Sequence, residues 1–506
     1  MDRNVSYKKS SSAGEWLKYH LVTKKMNSPF GIAALVFVTL VMSYITVLVD
    51  YKMGVGIVVF AGIVLMCIAG VLYPFFGFYF TFFISIFLVL PERILNTSQV
   101  LPMGLIPEYF SYLVLLGVIT KQHYRKEIDG SFWANAITVW LIVLMGYYTL
   151  QLFNPSMDSK LGWFNFFRKQ VSYAAFFYIS YSFLNSRRSI NTFTTFWIAL
   201  CTFEALYACS QQWFGFMDFE WQWLISEPLR YELFVNWGFA RKFGLLSDPA
   251  AAGILYSSAT LFVIVLGLQT KNMKKQAGYF LLAIIYFLAS SYTGTRTGTL
   301  MIVAGVAFYA VMTLYQKRTI IFAALFAMLM VFIMVVPIYD SVVINRIRST
   351  FEGSKDPSAY VRDLNRKSVQ PYIYRHPIGG GAKTAGQEGE MYNPGHVLAG
   401  IPPDSGYMKI LMELGPIGLA LNLIFYFVIL RKGIYYFYRV NHTHLKSLYA
   451  AYLVSVFSLM VAQFSQIAIG QYPSILFLYT SLAIFLKLHK YDYSISARES
   501  ELYSHA

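Results

Sequence analysis

The segment PPDSGYMKILMELGPIG, residues 402–418, decides how the chain is organised, because a long polar interval ends there and an apolar run begins. The interval opens near Tyr339 and is the longest polar stretch of a chain that is otherwise mostly apolar. A loop of this length between membrane spans is usually functional or disordered. Its closing residues favour function, because Asp404-Ser405 stand at the start of a helix whose later turns contain Gly415-Pro416-Ile417-Gly418.

The composition is typical of a membrane protein. Of 506 residues, 57% are apolar and 13% are charged, whereas charged residues make up about a quarter of a soluble protein. Apolar windows of about 20 residues, the length that crosses the hydrocarbon core, predict about fourteen spans. They lie near residues 30–49, 54–72, 75–91, 103–120, 132–152, 167–185, 191–213, 248–269, 276–293, 297–315, 319–338, 406–430, 447–467 and 472–488. We therefore expect an all-α, polytopic membrane helical bundle with a large external loop.

Lysine and arginine residues in the short loops predict the orientation. With the N-terminus inside, the cytoplasmic segments hold 23 of them and the shorter external segments about 9. Both termini are therefore predicted to be cytoplasmic, and the long loop to face the outside or the periplasm. The net charge of +16 then reflects topology and attraction to anionic membrane lipids. Because no basic patch with interleaved aromatic residues occurs, we expect no nucleic acid partner.

The expected organisation follows from these spans. A basic cytoplasmic tail is followed by a bundle of about eleven spans, a large external loop, about three further spans and a second cytoplasmic tail. These are residues 1–29, 30–338 with an external loop at 214–247, 339–405, 406–488 and 489–506. Within the loop at 214–247, Trp221, Trp223 and Trp237 predict a short amphipathic element at the membrane interface.

Other chemistry-bearing residues in the spans are few. Cys67, Cys201 and Cys209 all fall inside predicted spans, and no pair of histidines has metal-ligand spacing. We therefore expect neither a disulfide framework nor a metal. Glu204 is an acid at membrane depth, which is costly and by default indicates function. The alternative is a side chain that a neighbouring helix satisfies.

Two arginines stand where external loops enter spans. Arg241 and Gly244 precede Asp248-Pro249, where Ser or Asp would cap the helix and Pro fits its first turn. A glycine at 244 lets the backbone come close to a ligand. Arg296 lies in a hairpin, residues 290–298, beside threonine hydroxyls and a helix N-terminus. This pattern suits a phosphate or diphosphate, whereas the alternative is an arginine that extends to lipid head groups.

Three stretches together point to a known family. They are Arg241 with Gly244 and Asp248-Pro249; the hairpin Gly294-Thr295-Arg296-Thr297-Gly298; and Arg362 and Arg366 before His376-Pro377-Ile378-Gly379-Gly380-Gly381, with Gly415-Pro416-Ile417-Gly418 closing the loop. With these the chain resembles the O-antigen ligase and Wzy-type polymerase superfamily, bacterial membrane enzymes that handle undecaprenyl-diphosphate-linked glycans. The resemblance covers about residues 230–430, and the remaining spans only in number and polarity.

One position departs from the family pattern. Ligases of this family are similar in having His, then Asn, Ser or Gln, nine residues, and Gly-x-x-Gly. Here Asp404 stands at the His position and Ser405 is an allowed second residue. A carboxylate can serve as a general base, so the replacement tilts the expectation from ligation to polymerisation. Asp404 is alternatively a helix cap, and His396 is either a substitute imidazole or an ordinary loop histidine.

The resemblance implies a metal-independent, cofactor-free glycosyltransferase of the O-antigen polymerase or ligase type. It would act on the external face of the bacterial inner membrane in lipopolysaccharide or exopolysaccharide biosynthesis. Arg241 and Arg296 would hold the diphosphate, and Asp404 would take the proton of the acceptor hydroxyl. The implied substrate-binding residues are Arg362, Arg366, His396 and Ser405.

The implied partners are an undecaprenyl-diphosphate-linked oligosaccharide, an acceptor glycan or lipid-linked glycan, membrane lipids and a chain-length regulator. The rival class is a polysaccharide or lipid-linked-glycan transporter or flippase, since about fourteen spans is also a common transporter size. Transporters often show internal repeats, and this sequence shows none. A purely structural or receptor role would leave the arginine and aspartate pattern unexplained.

Overall fold

Helices make up most of the chain, as the composition predicts. A computed structural model describes residues 28–44, 51–95, 103–125, 130–236, 238–338, 342–351 and 357–492. Residues 1–27 and 493–506, most of the two predicted tails, lie outside these ranges, as does Trp237. Within them there are two compact units, one of residues up to 80 together with 110–125, and one of the other described residues.

The described residues contain twenty α-helices and one two-stranded antiparallel sheet. In chain order the elements are α1 (Pro29–Tyr44), α2 (Tyr51–Leu72), α3 (Pro74–Ile86), α4 (Leu90–Leu95), α5 (Leu105–Arg125), α6 (Ala136–Leu150), α7 (Lys160–Phe183), α8 (Arg187–Trp213), α9 (Asp218–Ile225), α10 (Pro228–Phe234), β1 (Val235–Asn236), β2 (Phe239–Ala240), α11 (Pro249–Gln269), α12 (Met273–Tyr292), α13 (Arg296–Met312), α14 (Lys317–Val335), α15 (Val342–Ser349), α16 (Pro357–Arg375), α17 (Gly386–Tyr392), α18 (Gly406–Arg439), α19 (Thr443–Ala462) and α20 (Ser474–Lys487). Short 3-10 turns occupy Phe87–Val89, Gly130–Phe132, Gln151–Phe153 and Leu488–Tyr491.

The apolar windows of the sequence coincide with helical segments. Each of the fourteen predicted windows overlaps one such segment. In the described part of the chain, seven segments are long and apolar enough to cross a membrane: Pro74–Leu95, Ala136–Phe153, Arg187–Trp213, Pro249–Gln269, Lys317–Val335, Gly406–Arg439 and Thr443–Ala462. The chain is therefore an all-α, multi-pass membrane protein. The total of fourteen spans and the orientation stay predictions.

In the first unit, α2 and the part of α5 from residue 110 onward pack closely. A Cβ atom on Gly117 of α5 would stand 2.3 Å from the carbonyl oxygen of Val71 on α2. Only glycine fits at such a contact, because no Cβ then separates the two backbones.

Helix α11 is the centre of the second unit. It packs against α12, α13 and α19, and its apolar window is completely buried. The helix is apolar on all sides, which is the pattern of a buried helix, and it begins at a proline capped by Asp248. The Asp248 carboxylate accepts hydrogen bonds from the N–H groups of Ala250 and Ala251 at 2.8 and 2.9 Å. The predicted cap and first-turn proline are confirmed.

The loop at 214–247 forms a small folded element. Helices α9 and α10 and the β1–β2 hairpin surround a cluster of Trp223, Leu224, Phe234 and Phe243. Trp223 is 3% exposed, whereas Trp221 is 41% exposed. The element thus has a buried and an exposed side, as an amphipathic element has, and its place at the membrane interface stays a prediction. The two residues are two positions apart, so they point to different sides of one short helix.

The large predicted external loop is also folded where it is described. Helices α15, α16 and α17 lie within it, and α16 packs against α18. Val369 and Ile373 of α16 form a buried cluster with Leu398 of the loop and Met412 of α18. The cluster holds the loop against the start of α18, where Asp404 and Ser405 lie.

Candidate functional site

Arg241 lies against the hairpin that connects α12 and α13. Its Nε donates to the carbonyl oxygen of Thr293 at 2.9 Å, and its Nη2 donates to Oγ1 of Thr295 at 3.1 Å. Gly294, between these residues, has φ +61°, which favours glycine. Arg296 follows directly as the first residue of α13. The structure thus brings Arg241 and Arg296 to the same hairpin.

The hairpin is held close to α11 by small side chains. A Cβ atom on Gly253 of α11 would stand 2.7 Å from Oγ1 of Thr293, so only glycine leaves room there. Thr295 Oγ1 also donates to the carbonyl oxygen of Pro249 at 2.8 Å. The start of α11 therefore fixes the position of the hairpin and of Arg296, which follows the hairpin in the chain.

A third arginine, Arg346 of α15, joins this group. Its Nη1 donates to the carbonyl oxygen of Gly294 at 3.0 Å. Arg346 and Arg296 line the same small cleft, together with Ser291 and Thr299. The motifs of the sequence did not single out Arg346. The signal that could have singled it out is weak, because the contact joins residues 52 positions apart and depends on how α15 packs.

These guanidinium groups repel one another. Burial and the positive charge of Arg346 lower the pKa of Arg241 to about 10; Asp248 opposes this shift and Arg296 adds to it. Burial and Arg296 also lower the pKa of Arg346. Within the described part of the chain, neither Arg241 nor Arg346 has a carboxylate within ion-pair distance, and their hydrogen bonds go to neutral oxygens. An anion placed here would relieve the repulsion.

The turn that follows α19, residues 463–466, links this group to the large loop. Thr297 in the first turn of α13 and Ser465 share a hydrogen bond of 2.9 Å. On the other side, the Gly406 N–H donates to the carbonyl oxygen of Gln466 at 3.1 Å. The guanidinium carbon of Arg366 lies 5.5 Å from the centre of the Phe464 ring. Sequence reasoning missed this turn, which carries no charged residue.

Asp404 lies beside α16. Burial raises the pKa of Asp404 above its usual value of 3.8. Asn365, Arg362 and Arg366 oppose the shift, which places both predicted arginines near the carboxylate. The Nε of Arg366 is buried and has no hydrogen-bond partner. The structure therefore groups Asp404, Arg362 and Arg366, and it leaves one buried donor available to a ligand.

The cap of α18 is Ser405. Its Oγ accepts a hydrogen bond from the N–H of Met408 at 3.2 Å, and the residue is 2% exposed. Asp404 precedes the cap and makes no such bond to the helix start in the described structure. Ser405, and not Asp404, therefore caps α18. The predicted contact of Ser405 with substrate stays a prediction.

His396 is held by the loop itself. Its Nδ1 accepts from the N–H of Leu398 at 3.1 Å, and its Nε2 lies 3.1 Å from the hydroxyl of Tyr372. Burial lowers the pKa of His396, which favours the neutral ring. Both ring nitrogens are therefore engaged within the protein, as expected of an ordinary loop histidine, and a substrate role for His396 stays a prediction.

The two glycine-rich motifs of the sequence pair with each other. Gly415 has φ 70° and ψ 179°, so α18 is broken there, and Pro416 cannot donate to the carbonyl of Met412. The N–H groups of Gly380 and Gly381 donate instead to the carbonyl oxygens of Met412 and Glu413, at 2.9 and 2.8 Å. The broken helix is thus completed by the loop, which fixes the loop on α18.

Gly244 serves a different purpose from the one predicted. A Cβ atom there would stand 2.3 Å from Oε1 of Glu204, so this glycine makes room for a side chain of the protein and not for a ligand. The same Glu204 oxygen accepts from the N–H of Leu245 at 2.8 Å. The other oxygen, Oε2, is buried and has no hydrogen-bond partner, so the surroundings satisfy Glu204 only in part.

Comparison with known proteins matches the region just described. Residues 279–423 match the model of the family described as O-antigen ligase. This match, over less than half of the chain, supports a relationship to the O-antigen ligase and polymerase superfamily. The matched region of the chain contains Arg296, Arg346 and Asp404. Arg241 and the turn at 463–466 lie outside that region. The match supports a membrane glycan function on lipid-linked glycans. No curated protein is similar enough to the chain to count as a match.

Proposed function

We propose that the protein is a glycosyltransferase that extends a glycan carried on undecaprenyl diphosphate. The observation that carries this proposal is the group of Arg241, Arg296 and Arg346 around one hairpin. Arg241 and Arg346 have no carboxylate partner within the described residues, and both are hydrogen-bonded to neutral oxygens. Guanidinium groups bind diphosphate oxygens through paired hydrogen bonds. A diphosphate is therefore the ligand whose charge and geometry this group suits.

The diphosphate is the leaving group of the proposed reaction. The bond between the anomeric carbon of the donor sugar and the diphosphate oxygen breaks, and the electron pair goes to that oxygen. The arginines stabilise the charge that develops there, which is the usual way in which fixed cations accelerate such a step. A metal ion is not needed to perform this role when three guanidinium groups are at hand.

Asp404 is the proposed general base. It would take the proton of an acceptor hydroxyl while that oxygen forms the new bond to the anomeric carbon. Its raised pKa suits proton transfer. Arg362 and Arg366 would hold the glycan or its phosphate beside it, since the buried Nε of Arg366 lacks a partner. His396 and Ser405 would contribute through the loop and the helix start that they hold.

Polymerisation is favoured over ligation because Asp404 replaces the histidine of the ligase pattern. The reaction would take place on the external face of the inner membrane, since the lysine and arginine distribution predicts this face for the large loop. A transporter is the rival class. The break in α18 is a feature that transporters also have, but here the loop N–H groups of Gly380 and Gly381 fill it.

Reconstitution with a lipid-linked substrate tests the proposal. Purified protein in lipid bilayers would receive an undecaprenyl-diphosphate-linked oligosaccharide as both donor and acceptor. We expect longer lipid-linked glycans, with one undecaprenyl diphosphate released for each new glycosidic bond. Movement of intact oligosaccharide lipid between leaflets, without any lengthening, would instead identify a flippase.

The proposed face has its own test. Val397 is 71% exposed in the large loop, so a cysteine placed there should react with a membrane-impermeant thiol reagent in intact cells with a permeabilised outer layer. Lys274, exposed at the start of α12, gives the matched cytoplasmic position. Labelling at position 274 but not at position 397 would show that the orientation is opposite to the predicted one.

A further inference from the structure

A cavity of about 350 Å³ lies in the second unit among α6, α7, α18, α20 and the segment between α19 and α20. Its volume is within the range of about 300–1,000 Å³ that is usual for small-molecule sites. Its wall contains aromatic rings, amide side chains and five charged residues: Lys169, Lys383, Glu388, Lys409 and Glu413. None of the three arginines at the hairpin lines it.

Part of the charge in the cavity is balanced internally. Glu388 forms ion pairs with Lys383 and with Lys409. Burial of Glu388 disfavours its charge, but the attraction of the two lysines lowers its pKa to about 2. Glu388 is therefore ionised under all ordinary conditions, and both of these lysines already have a partner.

Three other polar groups of the wall lack a hydrogen-bond or ion-pair partner within the described residues. The amine of Lys169 makes no hydrogen bond or ion pair within the described residues, and its recorded contact is the Tyr173 ring, 6.0 Å away. Glu413 is 2% exposed, yet its Oε1 accepts no hydrogen bond. The buried Oε1 of Gln471 also lacks a partner. Buried polar groups are normally satisfied, so two buried oxygens without partners and one unpaired amine around the same cavity point to a ligand.

The unpaired groups define the chemistry of that ligand. Glu413 and Gln471 offer oxygen acceptors, which suit hydroxyl groups, and Lys169 offers a positive charge. The wall also carries the rings of Tyr148, Tyr173, Tyr426 and Tyr479, which provide flat surfaces for a sugar ring. The three lysines and two carboxylates of the wall leave one net positive charge, which a phosphate of about −1.5 to −2 would exceed. A sugar with a single carboxylate fits one free lysine better.

The cavity adjoins the proposed reaction centre. Gly406 lines it and follows Asp404 by two residues, a stretch of chain no longer than about 7 Å. Gln463, which belongs to the turn that contacts the first turn of α13, lines it as well. A sugar in this cavity would therefore present a hydroxyl close to Asp404.

Resting on the glycan transfer proposed above, we infer that this cavity binds a hexuronic acid residue of the acceptor glycan. Lys169 binds the sugar carboxylate, and Glu413 and Gln471 accept hydrogen bonds from its hydroxyl groups. The cavity thus selects acceptors by the charge of one sugar, whereas the arginines bind the diphosphate of the donor.

Equilibrium binding to the purified full-length protein tests the inference. The probes are the methyl glycosides of glucuronic acid and of glucose, which differ only in the carboxylate, and saturation-transfer NMR measures their affinities. We expect the glucuronide to bind at least about tenfold more tightly, as a charge-assisted hydrogen bond provides. Equal affinities for the two sugars, or no saturable binding of either, would overturn the inference.

Variants of Lys169 test whether this residue causes the preference for the glucuronide. Lys169→Gln should reduce glucuronide affinity to that of the glucoside, Lys169→Arg should keep the preference, and Lys274→Gln is the matched control because Lys274 is exposed at the start of α12. Glu413→Gln should weaken both sugars. A Lys169→Gln protein that still prefers the glucuronide would contradict the assignment, and the wild-type comparison stands even if this variant folds poorly.

The inference and the proposed function fail separately. Arg296→Ala should leave both sugar affinities unchanged, because Arg296 lies outside the cavity, while it removes glycan extension. Undiminished extension by Arg296→Ala would contradict the proposed function. An absent uronate preference, alongside extension that depends on Arg296, would overturn the cavity assignment alone.

Discussion

Arg93 on the one hand, and Arg241 and Arg346 on the other, donate hydrogen bonds to carbonyl oxygens of loops, but they differ in burial and in their charged neighbours. Arg93 of α4 is fully buried and donates to the carbonyl oxygens of Gly244, at 2.8 Å, and of Leu246. Glu204 and Glu220 lie close enough to act on its charge. Arg241 and Arg346 also donate to carbonyl oxygens of loops, but their charged neighbours are mainly other arginines.

The difference separates a structural arginine from a candidate ligand-binding one. A buried charge is stable when opposite charges and hydrogen bonds balance it. Arg93 has carboxylates nearby and donates to the loop through Nη1 and Nη2, while its buried Nε has no hydrogen-bond partner. These contacts within the protein allow it to hold the loop. Arg241 and Arg346 have hydrogen bonds but no carboxylate within ion-pair distance among the described residues. Their hydrogen bonds orient them, and their excess of positive charge remains for an anion to balance.

The substitution Arg296→Lys is the strongest test of this difference between the arginines. A lysine keeps the charge but loses the planar fork that binds two oxygens, so we expect glycan extension to fall by about 10²–10³-fold, as when one transition-state donor is removed. Extension of the lipid-linked oligosaccharide measures the effect. Arg318→Lys, at the exposed start of α14, is the matched control, and an equal loss in both variants would show that the change acts on the fold.

Asp404→Asn should have the next largest effect. An amide cannot accept the acceptor proton, so we expect a loss of roughly 100-fold or more. Because Ser405 and not Asp404 caps α18, the helix should remain as stable as in the wild type, which the thermal unfolding midpoint checks. Near-normal long-chain polysaccharide from the Asn variant at matched protein level would remove the base assignment.

The pH dependence of the wild type sharpens the same assignment. A general base acts in its deprotonated form, so the rate should fall as the pH drops through its pKa. Since burial raises the pKa of Asp404 above 3.8, this fall should occur at a higher pH than for a free aspartate. Pre-steady-state extension rates across the acid range measure it, and an acid limb at or below 3.8 would exclude Asp404 as its source.

Arg346→Gln tests the arginine that only the structure identified. Glutamine can still donate to Gly294, whereas the positive charge is lost. We expect about a tenfold decrease in extension, the value of one charged hydrogen bond, with the decrease mainly in donor affinity. An unchanged concentration dependence for the donor would place Arg346 outside the diphosphate site.

Glu204→Gln should change activity least. The substitution is the same type as Asp404→Asn, but it removes a charge that faces Arg93 and not substrate. We expect a lower unfolding midpoint, corresponding to about 1–3 kcal/mol for an impaired buried contact, and an extension rate per folded protein within about threefold of wild type. A selective loss of rate at unchanged stability would move Glu204 into the site.

Local rules explain what the sequence could predict. The helical segments follow from apolar windows, and the start of α11 follows from Asp248-Pro249, because capping and proline placement depend on neighbouring residues. Arg241 and Arg296 could be predicted to face one side because each stands at a loop that enters a span. Arg346 could not, since its contact with Gly294 depends on where α15 packs. The turn at 463–466 contains only uncharged residues, which gives no signal.

The glycines show most clearly what could not be predicted from the sequence. A positive φ is consistent with any close approach, and at Gly244 the approaching group is the carboxylate of Glu204. For the same reason the pairing of Gly380 and Gly381 with the broken part of α18 was not evident. Each motif satisfies the hydrogen bonds of the other, and such long-range complementarity cannot be read from either motif alone.

That pairing also constrains how the protein is made. The N–H groups of Gly380 and Gly381 need carbonyl groups of residues 412 and 413, and the start of α18 needs the turn at 463–466, so both acceptors leave the ribosome later than the loop. The loop therefore cannot complete these contacts until the later helices have been synthesised. A chain that ends before α18 would contain Arg241, Arg296 and Arg346 but not the carbonyl groups that hold the loop in place.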